Sequence, residues 1–138
     1  MRTLKIMSMS LLIVVLGFAF ISMTIQQQKK AEPWEVGARY KSMENTVASD
    51  DASVKTGKGM YSKFCASCHG KTGLGDGVKA RGLKTFPGDF TGAGFQDQTD
   101  GEIFFKTKAG RAEMPKFEGK VQDKDIWSMV NYMRTLKK

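Results

Sequence analysis

Residues 64–70 read FCASCHG, and this stretch decides how the rest of the chain is read. The 138 residues include two cysteines and one histidine, and all three stand here as Cys65, Cys68 and His69. Several chemistries place thiols this close together. A closed zinc site needs four Cys or His ligands around a tetrahedron, and three within five positions cannot supply them. A thiol–disulfide oxidoreductase carries its CxxC after a strand in a βαβ unit, whereas the residues before Cys65 have a helical period. A structural disulfide across two residues closes a very small loop and gains little entropy from it. None of these requires a histidine directly after the second cysteine.

Covalent haem attachment does require it: the two thiols take the vinyl groups and the adjacent imidazole takes the iron. An electron-transfer haem has two axial positions, and with His69 the sole histidine a second imidazole from this chain is excluded. Methionine sulfur is the remaining conventional ligand, and it favours the reduced iron. Of nine methionines, Met1, Met7, Met9 and Met23 fall in the N-terminal segment, Met43 in a polar stretch and Met60 in the helix before the cysteines. Met129 and Met133 lie on an apolar helical stripe, where core packing is the ordinary role. Met114 stands in the non-helical stretch GRAEMPKFEG, and the proline after it keeps the backbone extended. It follows His69 by 45 residues (114 − 69), enough chain to pass round a haem.

Outward from the motif the periodicity is helical. Ser53 is read as the cap of a helix that carries Val54, Gly57, Tyr61 and Phe64 on one face. In TDGEIFFKTKAG, Thr99 and Glu102 have capping-box spacing and Gly110 is placed to stop the helix. A third helix is read with Asp123 as its cap and Ile126, Met129, Val130 and Met133 as its apolar stripe. No stretch alternates with period two, so an all-α domain is expected, joined by the Gly-rich loops GKTGLGDG and PGDFTGAG. The aromatics Tyr61, Phe64, Phe104 and Trp127 are read first as core packing, with a part in setting the dielectric around the iron as the alternative, and Phe86, Phe90 and Phe95 are read as lining the haem or closing a satellite core.

Residues 6–25 carry no charge over 20 positions, a length that crosses a bilayer as a helix. A cleaved secretory signal would have a shorter apolar centre and an A-x-A-like end, absent here. Residues 1–27 are therefore read as a membrane anchor, with a cleaved signal as the alternative, and both direct the rest of the chain toward export. Residues 28–53 are polar and mixed in charge. They are read as a linker, or as a partly ordered extension packed on the domain at 54–138.

Residues 54–138 hold 16 Lys and Arg against 9 Asp and Glu, a net +7. Lys63, Lys71, Lys108, Arg111 and Lys116 flank the candidate ligands in sequence and are read either as a ring at the haem edge that steers the domain to an acidic face of a redox partner or as a generally solvated basic surface. No basic stripe is interleaved with aromatics, which argues against nucleic-acid binding.

These residues resemble the class I c-type cytochromes, small monohaem all-α electron carriers, over Val54–Leu136. Gly57 and Tyr61 match the Gly and aromatic of the family's first helix, Tyr132 the aromatic of its crossing helix, and Met114–Pro115 its Met-Pro pair. The likeness to a bacterial membrane-tethered branch implies a fold of about three to five helices around one covalent haem c. It implies thioethers at Cys65 and Cys68 and axial iron ligands at His69 and Met114. The implied role is single-electron transfer between respiratory-chain partners on the outer, periplasmic side of the cytoplasmic membrane. Alternatives are a fixed subunit of a quinol-oxidising complex or terminal oxidase, or a haem sensor or enzyme with an open site. One feature departs from the family pattern. Many relatives have a proline whose neighbouring carbonyl accepts the proximal histidine's N–H, but GDGVKARGL has Val78 there and no proline before Pro87.

Overall fold

The computed structural model describes residues 32–138; the apolar run at 6–25 lies outside the described residues. Three helices of ten or more residues build the domain: α2 (Asp51–Phe64), α5 (Asp100–Ala109) and α6 (Asp123–Arg134). Single turns α1 (Ala38–Lys41), α3 (Ala66–His69) and α4 (Ala93–Gln96) and a 3-10 turn at Ala80–Gly82 connect them. No strand occurs among the described residues, as the absence of period-two patterning predicts, and the Arg111–Met114 pairing is an isolated bridge.

Two helix starts differ from the sequence reading. Asp50, not Ser53, caps α2: its carboxylate accepts the Ser53 N–H at 2.8 Å while the Ser53 hydroxyl accepts the Asp50 N–H at 3.2 Å. The pair is a reciprocal capping box, which shifts the start three residues upstream. α6 starts after Gln122, with Asp123 already in its first turn, where its charge meets the positive end of the helix dipole. The α5 start holds as read, with the Thr99 hydroxyl and Glu102 carboxylate each accepting the other's backbone N–H, at 3.2 and 2.8 Å.

α2 and α6 make the most extensive helix contact, and Gly57 is where they touch. A Cβ at Gly57 would lie 1.9 Å from the Ser128 carbonyl oxygen, so only glycine allows the backbones this close. One turn on, Tyr61 meets Tyr132 with ring centroids 5.2 Å apart. Ile126, Met129, Val130 and Met133 are buried as the stripe predicts, but burial runs unbroken from Ile126 to Met133. The second face of α6 is covered too: Trp127 stacks on Phe104 of α5 at 4.0 Å, and Asn131 is covered by residues 45–48. Arg134 ties the end of α6 to α5 through Asp100 at 2.7 Å and to the carbonyls of Gln96 and Gln98.

That cover comes from the segment preceding α2, which adopts the packed extension of the two readings. Val36 is buried, Tyr40 packs against Phe105 with ring centroids 4.3 Å apart, and the Tyr40 carbonyl oxygen lies 1.9 Å from where a Cβ at Gly101 would be. Asn45 donates to the Asn131 side-chain oxygen at 2.8 Å.

Gly57→Ala is expected to destabilise the holoprotein by about 1–3 kcal/mol through overpacking. Gly59→Ala, on the same helix with open space at its Cβ, should stabilise it by up to about 1 kcal/mol. Denaturant unfolding of both variants checks this; equal effects would mean that the crossing is not glycine-dependent.

Candidate functional site

Cys65 ends α2 and begins the single turn of α3. Its N–H donates to the Tyr61 carbonyl at 2.8 Å, and its own carbonyl accepts from Cys68 and His69 at 3.1 and 2.9 Å. One helical turn therefore gathers the two thiols and the imidazole. Gly70, with φ of 80°, ends the turn, and the Tyr61 hydroxyl donates to its carbonyl at 2.8 Å. The loop after it folds back: Gly75, Gly77 and Lys79 donate backbone N–H groups to the carbonyls of His69, Cys68 and Ser67. At Gly77 a Cβ would lie 2.4 Å from the Ser67 oxygen, so the return needs glycine.

Met114 reaches the same place from 45 residues away. Arg111 and Met114 exchange backbone hydrogen bonds of 3.0 and 2.9 Å across a tight turn, with Ala112 at φ of 52°. A cavity of about 410 Å³ is lined by Cys65, Cys68 and His69, by the 111–115 turn with Met114, and by Phe64, Leu83, Phe86, Pro87, Phe117 and Trp34. Cofactor sites run from about 300 to 1,000 Å³. All four residues singled out by sequence thus face one apolar cavity.

His69 is 9% exposed, and its ring stacks on Phe90 at 4.4 Å, with Phe95 stacked behind at 4.2 Å. Burial pushes its pKa down to about 4, so at neutral pH it is the uncharged imidazole a metal binds. Its Nδ1 is buried without a hydrogen-bond partner among the described residues, so the carbonyl acceptor common in related proteins is not found. Burial, with a smaller contribution from Cys68, pushes the Cys65 thiol up to about 12. Redox-active CxxC thiols have lowered values, so this environment does not suit disulfide exchange. Both cysteines are unbridged.

An apolar cavity with two free thiols on one turn, a neutral buried imidazole with an orphaned nitrogen, and a thioether on a separate loop fits a haem. The fold and site define a c-type cytochrome whose haem c is held covalently through the CxxCH motif. Residues 52–133, more than half of the chain, match the family described as Cytochrome C oxidase, cbb3-type, subunit III, and the chain belongs to it. No curated protein matches the chain.

Not every expected contributor lines the cavity. Of the four aromatics, Phe64 lines the cavity, while Tyr61, Phe104 and Trp127 take the core-packing role that burial preference gives them. Of the Phe trio, Phe86 lines the cavity and Phe90 and Phe95 back the His69 ring. Glu32 and Glu113 border the cavity and were not singled out from sequence; Trp34, whose readings were the membrane interface or the domain surface, borders it too. Nothing in a polar stretch marks its contact with a loop 78 residues away.

Proposed function

We propose that this chain is a membrane-held monohaem cytochrome c, with His69 and Met114 as axial ligands, that passes single electrons between respiratory-chain partners outside the cytoplasm. The observation that carries it is the shared cavity: Met114 lines the space that Cys65, Cys68 and His69 line. Haem c, when bound, supplies a one-electron iron couple. Cys65 and Cys68 hold it in place, the neutral His69 ring is kept in orientation by Phe90, and the Met114 thioether, an uncharged donor, favours the reduced iron. Phe64, Leu83 and Phe117 exclude water and lower the local dielectric, which tunes the potential. A methionine on the cavity argues against an open site for a gas or peroxide.

No helix among the described residues is long and apolar enough to cross a membrane, so membrane attachment rests on the apolar run at 6–25. The chain is packed from Val36 onward, and Glu32 and Trp34 border the cavity. Only residues 26–31 separate that border from the apolar run, and six residues span at most about 20 Å. So short a tether favours a membrane-resident partner close by, in line with the oxidase subunit that the family description names, over a far-ranging shuttle.

For docking, Lys108 pairs with Asp123 at 2.8 Å, Lys116 with Glu118 at 2.6 Å, and Arg111 donates to the Glu32 and Pro33 carbonyls. Exposed Lys79, Arg81 and Lys84 instead lie in sequence between the exposed apolar residues Val78 (91%) and Phe86 (37%), just ahead of the cavity-lining Phe86 and Pro87. This is the face proposed to meet an acidic partner surface.

Three outcomes are expected. Met114→Ala keeps covalent haem but loses the weak red-end band of sulfur-bound ferric iron; a wild type that carries haem without that band would move the open-site reading ahead. The full chain stays in the membrane pellet after a high-salt wash, and intact mass shows residues 1–25 retained; a soluble chain starting beyond them means a cleaved signal. Replacing Lys79, Arg81 and Lys84 with Gln flattens the salt dependence of oxidation by an anionic iron complex; an unchanged slope would rule out this face.

A further inference from the structure

A thioether is a weak, uncharged ligand on a flexible side chain, so its place at the iron depends on how firmly its backbone is held. The Met114 turn is strained: Ala112 takes the left-handed conformation that favours glycine. Two charged side chains, both exposed and so outside the core, fasten this turn to two other segments.

Arg111 reaches back to the start of the described chain. Its guanidinium donates to the Glu32 carbonyl at 2.9 Å and the Pro33 carbonyl at 3.1 Å, and lies over the Trp34 ring at 4.5 Å. A planar fork over an aromatic face is geometry that lysine does not reproduce. On the other flank of Ala112, the Glu113 carboxylate accepts the Lys84 N–H at 3.0 Å to both oxygens and the Thr85 N–H at 3.1 Å. The segment that Arg111 grips is itself secured by Val36, by Tyr40 on Phe105 and by Asn45 on Asn131 of α6. The chain from α6 to Met114 is thus continuous through packed contacts.

We propose that Arg111 and Glu113 are positioning residues that brace the Met114 turn, Arg111 against residues 32–34 and Glu113 against residues 84–85, and so keep the sulfur at the iron. The proposal rests on Met114 as the axial ligand. It also gives residues 32–34 a part in the haem site, since these are the residues that Arg111 grips.

The test is an imidazole titration of the ferric, haem-loaded full-length protein, followed by loss of the sulfur band. Arg111→Gln, Glu113→Ala and Trp34→Ala should each bind imidazole at least about tenfold more tightly than the wild type, the scale on which groups that orient metal ligands act. Lys120→Gln, which removes the same charge from an exposed site away from the cavity lining, should titrate like the wild type. Trp34→Ala alters the brace without touching the turn, and decides the matter should either turn variant fail to load haem. Wild-type affinity in the variants would overturn the brace while leaving Met114 as ligand. A wild type without the sulfur band would remove both.

Discussion

The close crossing of α2 and α6 at Gly57 is the constraint on which the rest of the molecule depends. Because the Ser128 carbonyl occupies the space of a side chain at residue 57, α2 can lie against α6 in only one register. That register places Tyr61 against Tyr132 and lets the Tyr61 hydroxyl hold the Gly70 carbonyl. The α3 turn, with both thiols and the imidazole, is thereby suspended from the crossing. A core of this kind, small in a domain of this length, leaves a cavity that an apolar cofactor completes.

The second half of the site is organised differently. His69 sits on a helical turn pinned by backbone hydrogen bonds, whereas Met114 sits on a strained loop whose own Arg111 and Glu113 side chains hold backbone groups of two other segments. Rigid on one side and braced on the other, the two candidate ligands are held by independent parts of the fold. The extension that precedes α2 links them: it covers the second face of α6 through Asn45 and Asn131 and supplies the carbonyls that Arg111 grips. Through it residues 32–34 are tied to both α6 and the Met114 turn.

What could be read from sequence divides along physical lines. The three main helices and the α5 cap were legible because periodicity and capping are local; the site candidates stood out because the chain has two cysteines and one histidine, and because Pro115 and a non-helical stretch set Met114 apart from the other methionines. Asp50 was missed as the α2 cap because Ser53, an equally good capping residue, serves as its reciprocal partner. The packing of residues 32–48 was one of two readings of a polar stretch, and its particular contacts were not legible, since Val36, Tyr40 and Asn45 find their partners on segments that only the fold brings near. The lysines near Met114 looked free in sequence, yet Lys108 and Lys116 are drawn into ion pairs by acids whose proximity only the fold creates.

The central claim is that one cavity brings His69 and Met114 to a single iron. Iron-edge X-ray absorption of the ferric full-length protein tests it most directly, because it counts the atoms bound to the metal. The account predicts a single sulfur neighbour among nitrogens, since the Cys65 and Cys68 sulfurs are bound to the macrocycle and not to iron. A shell of nitrogen and oxygen alone would contradict it.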